Sequence, residues 1–276
     1  DDKIIYVGEN TSFEADTVID ATGKAVSPGF INMLSWGYYS LMDDGRGLSD
    51  LKQGVTLEIF GEGTSPGPYW EDGKFTSFGE AMSELEESGV SLNIASFLGA
   101  ATTRILEVGY ENRQANSSEM DRMRSHVENS MKEGAMGIGS SLIYAPGDYA
   151  STEELTELSK VASDYGGMYI SHLRSEGTNL LEALEELISI SRDANIPAEI
   201  YHLKASREPN WSKLDEVIKR VEEVRGEGLK ITADIYTYNA SSTGLTGVIP
   251  TWVQEGGHSA WICLLYTSDA ADEPMR

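Results

Sequence analysis

Short apolar runs rich in β-branched and aromatic residues recur along the chain, and segments of helical period separate the later runs. The runs lie at 29–34, 55–60, 91–99, 134–141, 168–173, 198–204 and 230–238. The segment 151–167 places apolar residues on one helical face, with Ser151 and Glu154 as a capping box at its start and a glycine pair at its end. A second such segment ends at Gly226. The pattern therefore predicts helices between the later strands.

Strands that alternate with helices at intervals of roughly 25 to 40 residues indicate repeated βαβ units and a parallel sheet. We expect an α/β fold, an incomplete (β/α)₈ TIM-type barrel of about seven βα units. A doubly wound open sheet is the alternative, but no glycine-rich phosphate fingerprint follows the first strand.

The two ends of the chain differ from its middle. Residues 1–27 contain short β-rich pieces that predict part of a small β-sandwich domain, followed by the barrel at 28–262. The run "CLLYTSDAADE" at 263–273 resembles the translation of a sequencing adapter. We therefore interpret 263–276 as non-native and expect the natural chain to continue beyond Ile262.

Composition narrows the range of partners. The 276 residues are 40% hydrophobic and 9% aromatic, as in globular proteins, and their net charge is −24. Such a surface repels phosphate backbones and anionic lipids, and no apolar run approaches the length of about 18 residues that spans a bilayer. We expect neither nucleic-acid nor membrane partners.

His172 and His202 occupy matching positions near the ends of two consecutive predicted strands. The carboxyl ends of barrel strands converge on the face where active sites are built, so two imidazoles there can reach one point. Because neutral imidazole is the commonest metal ligand, the pair predicts a metal site, with two satisfied core histidines as the alternative. We interpret the other two histidines, His126 and His258, as a surface residue and an incidental one.

Glu62 is the candidate third ligand. It follows the second predicted strand between Gly61 and Gly63, which allow a sharp turn that frees the carboxylate to face inward. Glu58, earlier in the same run, is expected to point elsewhere. The alternative for Glu62 is a solvated turn residue.

Polar groups near the pair are candidates for substrate contacts. Lys204 and Arg174 are the nearest basic residues and could meet a substrate carboxylate, or serve as surface cations or braces. Tyr236 and Ser242 add hydroxyls after the seventh predicted strand, unless this segment is an ordinary polar loop.

Five stretches in order resemble the N-acyl-D-amino-acid deacylases of the amidohydrolase superfamily. They are "VIDATGKAVSPGFIN", "KQGVTLEIFGEGTSPGP", "YISHLRSEG", "IYHLKAS" and "DIYTYNASSTG", between Thr17 and Ile262. The resemblance implies a metal-bearing (β/α)₈ barrel with a small β-sandwich domain. It also implies hydrolysis of N-acyl-D-amino acids to a carboxylate and a free D-amino acid.

The resemblance also implies roles for individual residues. One Zn²⁺ ion would be held by Glu62, His172 and His202. A small-molecule N-acyl amino acid would be contacted by Lys204, Tyr236 and Ser242.

Two departures from the family pattern stand out. Most amidohydrolases carry a His-x-His pair after the first strand, whereas this chain has Leu34 and Trp36 there, so a second metal ion is not expected. The catalytic aspartate of the family follows the eighth strand, which is expected to lie beyond these 276 residues. Asp234 is on the seventh predicted strand and is not assigned that role. No catalytic residue is therefore assigned, and these 276 residues alone are expected to turn over little.

Two other functions remain open at this point. One keeps the fold and changes the substrate to another amide, such as a dipeptide or a cyclic amide. The other is a non-catalytic binding protein that has lost the His-x-His pair.

Overall fold

A computed structural model describes residues 3–9 and 12–267. Its strands are β1 Phe30–Asn32, β2 Val55–Phe60, β3 Tyr69–Glu71, β4 Lys74–Thr76, β5 Asn93–Ser96, β6 Leu98–Gly99, β7 Gly137–Ser141, β8 Met168–His172, β9 Ala198–Ile200 and β10 Ile231–Ala233. Its α-helices are α1 Tyr38–Asp43, α2 Leu48–Leu51, α3 Phe78–Ser88, α4 Ala100–Glu107, α5 Ser117–Lys132, α6 Thr152–Asp164, α7 Leu180–Asp193, α8 Lys213–Gly226 and α9 His258–Thr267. Short 3₁₀ helices lie at Gly147–Tyr149, Glu208–Asn210, Leu245–Val248 and Thr251–Gln254.

Parallel strands follow one another in chain order through two adjoining sheets. The order is β1-β2-β5 in the first sheet and β10-β9-β8-β7-β6 in the second. At Phe97 the chain passes from the first sheet to the second, and its N–H donates to the carbonyl of Phe60 at 2.9 Å. The predicted α/β class is confirmed, and parallel strands in chain order are consistent with part of a TIM barrel.

The core has a layer on each face of the strands. Successive strand residues point to opposite faces, so Tyr169 packs with the helices while Ile170 packs on the other side. The layer that faces away from the helices contains Ile59 of β2, Phe97 between β5 and β6, Ile170 of β8 and Tyr201 just after β9. Each is at most 2% exposed. These residues form the floor beneath the side chains at the strand ends.

The predicted capping box of α6 is only half formed. Ser151 Oγ accepts the N–H of Glu154 at 3.2 Å, but the Glu154 carboxylate turns inward and meets Arg104 Nη1 at 2.8 Å. The Arg104 side chain is 1% exposed. An unpaired buried guanidinium would cost far more free energy than the loss of one helix-capping hydrogen bond, so the Glu154 carboxylate pairs with Arg104.

The last two predicted strands are shorter than expected, and a hairpin was missed. The runs at 198–204 and 230–238 are extended only as far as Ile200 and Ala233. The antiparallel pair β3–β4 turns at Asp72 and Gly73, both with positive φ. An Asp-Gly pair between apolar residues is a strong hairpin signal, so this element was visible in the sequence.

The predicted domain boundaries remain predictions. Residues 3–9 and 12–27 form no strand in the part of the chain that the structure describes. The predicted non-native segment begins inside α9, and its residues 268–276 lie outside the described ones. No helix among the described residues is both long and apolar enough to cross a membrane.

Candidate metal centre

The turn after β2 brings Glu62 to the inner end of the strands. Gly61 and Gly63 have φ of 107° and 71°, a region that glycine enters without strain. A Cβ at Gly61 would lie 2.3 Å from the carbonyl oxygen of Phe97, and one at Gly63 would lie 2.9 Å from Ser141 Cβ. Both flanking positions therefore require glycine, and the carboxylate between them is buried.

A strand positions His172, and a turn positions His202. His172 is the last residue of β8 and lies on the same strand face as Ile170. His202 lies beyond the end of β9 with φ of 37°. Asp234 holds this turn, because its Oδ1 accepts the N–H of His202 at 2.7 Å and its carbonyl accepts the N–H of Leu203 at 2.9 Å.

Glu62, His172 and His202 converge. Glu62 Oε1 lies 2.9 Å from His172 Nδ1 and 3.7 Å from His202 Nε2. The imidazole centroids are 4.4 Å apart and the rings are nearly perpendicular. Within the described residues, these three side chains form the one group of histidine, cysteine and acidic residues whose ligand atoms all lie within 4.8 Å of one another.

A second carboxylate, Glu176, lies on the far side of the two imidazoles. Its Oε1 is 3.0 Å from His202 Nδ1 and 3.6 Å from His172 Nε2. Lys204 fills this side: its ammonium forms an ion pair with Glu176 and lies 3.2 Å from the carbonyl oxygen of His202. The positive charge there leaves the Glu62 side as the place for a metal cation.

The electrostatics keep Glu62 anionic. Burial alone raises its pKa, but hydrogen bonds with His172 and His202 and from Trp36 lower the pKa to about 2. Burial alone lowers the pKa of His202, but hydrogen bonds to the carboxylates of Glu176 and Glu62 raise it to about 9.

The donor set suits zinc. Two imidazole nitrogens and one carboxylate oxygen are a common ligand set at catalytic zinc sites, which leave a further position open. On His172 the nitrogen that faces the Glu62 side is Nδ1, 2.9 Å from Glu62 Oε1, while Nε2 is buried on the Glu176 side without a hydrogen bond. The His202 ring has Glu176 on its outer nitrogen, as ligating histidines usually do.

The other predicted substrate residues separate into two groups. Lys204 lies at the centre, 5.5 Å from the ring centroid of Tyr236, whose ring is 6.3 Å from that of His202. Ser242 is exposed in an irregular segment after β10, with no hydrogen bond to the centre among the described residues.

Arg174 serves as a brace. Its guanidinium binds both carboxylate oxygens of Glu186 at 2.8 Å and donates to the carbonyls of Asp148 and Ala150. All three of its guanidinium nitrogens are used in holding the 148–150 segment against α7. It is therefore not positioned as a free cation for substrate.

The remaining candidates lie away from the centre. His126 Nε2, on α5, lies 2.8 Å from Glu107 Oε1, on α4. His258 is exposed and packs beside Trp261. Glu58 is buried, and its Oε2 accepts the hydroxyl of Ser35 at 2.6 Å.

Sequence reasoning missed three residues that touch the ligands. Trp36 Nε1 donates to Glu62 Oε2 at 2.8 Å, Ser141 Oγ donates to Glu62 Oε1 at 3.4 Å, and Glu176 contacts both imidazoles. Glu176 follows His172 by four residues in "HLRSEG", so its place in the loop after a ligand strand was the available signal. The roles of Trp36 and Ser141 depend on neighbouring strands and had no local signal.

Curated proteins are similar to this chain in sequence over most of its length. No family model matches the chain. A D-aminoacylase from Alcaligenes xylosoxydans xylosoxydans is 29% identical over 259 residues, covering 88% of this chain and 53% of that protein. An N-acyl-D-glutamate deacylase from the same organism is 28% identical over 258 residues, covering 88% and 52%. The chain thus spans about half the length of the curated relatives it matches.

Solved structures agree with these relatives. A D-aminoacylase structure concerned with one-metal activation and second-metal attenuation of a binuclear centre has a TM-score of 0.69 and 26% identity, covering 76% of this chain and 48% of that one. The N-acyl-D-glutamate deacylase of Bordetella bronchiseptica, complexed with zinc and a phosphonate inhibitor, shares the fold with a TM-score of 0.72 at 24% identity, covering 79% and 49%. The chain is thus similar in sequence and in fold to the N-acyl-D-amino-acid deacylases, which confirms the resemblance inferred from its motifs.

Proposed function

We propose that this protein hydrolyses the amide bond of N-acyl-D-amino acids with one zinc ion held by Glu62, His172 and His202. The observation that carries the proposal is the convergence of these three candidate ligand groups at the ends of the parallel strands β2, β8 and β9. Similarity to deacylases over 88% of the chain supports the substrate class. We also propose that the strands form part of a (β/α)₈ barrel and that residues 1–27 form part of a small β-sandwich domain.

Zinc held by three protein ligands polarises a substrate carbonyl and lowers the pKa of bound water to about 7. The residues of the chain keep the ligand set ready for this cation. Trp36 holds Oε2 of Glu62, which leaves Oε1 facing the two imidazoles. Glu176 accepts the Nδ1–H of His202, so the lone pair of Nε2 points toward Glu62.

Lys204 is proposed to bind the substrate carboxylate. Its side chain is 21% exposed, and of its three donors one pairs with Glu176 and one lies 3.2 Å from the carbonyl oxygen of His202. Because Nδ1 of His202 has Glu176 as its own acceptor, the third donor can turn to a ligand. Tyr236 lies beside it and is proposed to orient the substrate through its hydroxyl. Ser242 is proposed to join them from the segment after β10.

The carboxylate that moves the proton between water and the leaving amine is not assigned to this chain. Asp234 is not proposed for it, because Oδ1 of Asp234 is used in holding the backbone of His202. Its contribution is the turn that presents the imidazole.

The test is hydrolysis by zinc-loaded protein that includes the carboxyl-terminal segment expected beyond Ile262. We expect release of the amino acid from N-acetyl-D-amino acids and not from their L-enantiomers. The variant His202→Ala should lose both zinc and activity, whereas His126→Ala, which alters a histidine remote from the centre, should keep both. Zinc-loaded protein that cleaves no N-acyl-D-amino acid would refute the proposal.

A further inference from the structure

A cavity of about 430 Å³ lies beside the candidate metal centre. Its walls come from the segment after β1, the turn after β2, the β3–β4 hairpin and α4. Aromatic rings dominate it, in the side chains of Trp36, Tyr38, Tyr39, Tyr69 and Trp70. The volume is within the usual range of small-molecule pockets.

The cavity and the metal centre share a wall. The indole of Trp36 lines the cavity and donates its N–H to Oε2 of Glu62 at 2.8 Å. Gly61 and Thr64, which flank the Glu62 turn, line the cavity as well. A ligand group that enters the cavity therefore starts within reach of the metal ligands.

The lining carries no charged side chain. Its hydroxyl groups are largely engaged within the protein: Ser35 binds Glu58, Ser65 binds the carbonyl of Gly67, and Tyr38 binds the carbonyl of Ala81. The rest of the lining consists of aromatic rings, prolines, the aliphatic side chains of α4 and the hydroxyls of Tyr39, Thr64 and Tyr69. Such a surface favours an uncharged apolar chain over a carboxylate.

The charged end of a substrate has its partner elsewhere. The Lys204 ammonium contacts His202 and Glu176, while Trp36 contacts Glu62, so the cation and the cavity adjoin different ligands of the centre. An N-acyl amino acid has the matching polarity, with an apolar acyl chain on one side of the amide and a carboxylate on the other.

We infer that the aromatic cavity beside Trp36 binds the acyl chain of the substrate and selects acyl groups longer than acetyl. This inference rests on the proposed function for the identity of the ligand. Trp36 forms the wall next to Glu62, and Ile105 and Leu106 of α4 line the cavity without bonding to a candidate metal ligand.

The experiment measures dissociation constants by calorimetry on the zinc-loaded chain. The ligands are N-acetyl-D-alanine, N-octanoyl-D-alanine and N-acetyl-D-leucine, so acyl length and side-chain size vary separately. The variant Ile105→Trp fills the cavity, and the matched control Ile218→Trp places the same change on an exposed position of α8. Leu106→Phe is a second filling variant in case Ile105→Trp does not fold.

We expect the octanoyl compound to bind at least about tenfold more tightly than the acetyl compound, because its methylenes leave water. Filling the cavity should reduce this preference to less than about threefold, and the control should retain it. Equal binding of the two acyl lengths, no binding of either, or a preference that survives in both filling variants would overturn the inference. So would a preference that follows the leucine side chain instead of the acyl chain. A cavity-dependent acyl preference without hydrolysis by the extended zinc-loaded protein would refute the proposed function and leave the cavity assignment standing.

Discussion

The indole N–H of Trp36 donates to Oε2 of Glu62 at 2.8 Å. The sequence resemblance predicts that Trp36 stands at one of the two positions where most amidohydrolases carry a histidine metal ligand. In this chain a neutral donor holds the carboxylate of Glu62, a candidate metal ligand, from that position.

Replacing Trp36 with phenylalanine should weaken zinc binding about tenfold, because Glu62 loses the donor that orients it. Zinc titration against a competing chelator measures the change. Trp211→Phe is the control, since Trp211 is 63% exposed and remote from the centre. Wild-type affinity in Trp36→Phe would show that the indole does not orient the ligand.

Replacing Glu176 with glutamine should weaken zinc binding by about 10- to 100-fold, the usual cost of losing an outer carboxylate partner of a ligating histidine. Glutamine keeps the shape of the side chain but removes the anion that accepts the N–H of His202. Glu153→Gln, at an exposed position of α6, removes the same charge as a control. If both variants bind zinc equally well, Glu176 has no such role.

Zinc affinity should rise with pH. Burial alone lowers the pKa of His202, but hydrogen bonds to Glu176 and Glu62 raise it to about 9, and zinc must displace that proton. Below about pH 9 the apparent affinity should therefore fall by up to about tenfold per pH unit, and above it the affinity should level off. Chelator competition between about pH 6 and pH 10 tests this. A flat profile across that range would contradict the protonated state of His202.

The sequence was sufficient for the repeating architecture and for the three converging ligands. The runs at 55–60 and 168–173 became β2 and β8 almost unchanged, because β-branched and aromatic residues recur in both. Glu62 could be found because two glycines flank it, and the histidines because they recur at matching strand ends.

What the sequence did not reveal depends on contacts between distant segments. The Trp36–Glu62 bond joins residues from different strands, and the Glu154 carboxylate leaves its expected cap for Arg104. The end of β9 at Ile200 was missed because the turn at His202 is held by Asp234 from the next strand. Such partners follow from the tertiary structure and leave no local pattern.

Arg174 should matter for stability. Lysine at this position cannot bind both oxygens of Glu186 and two carbonyls at once, so Arg174→Lys should lower the free energy of unfolding by about 1–3 kcal/mol. Urea denaturation of the zinc-loaded protein measures it. Arg46→Lys, which alters an exposed pair with Asp44, should leave the free energy of unfolding nearly unchanged. Equal stability of the two variants would show that Arg174 is not a brace.

The most direct test of the account is the zinc content and coordination of the purified protein, measured by elemental analysis and X-ray absorption. We predict one zinc ion per chain, bound by two imidazoles and a carboxylate at about 2.0–2.2 Å, and its loss in Glu62→Gln, His172→Ala and His202→Ala. The variant His126→Ala should retain the ion. Zinc that persists in all three ligand variants, or a wild-type chain that binds none, would contradict the metal centre.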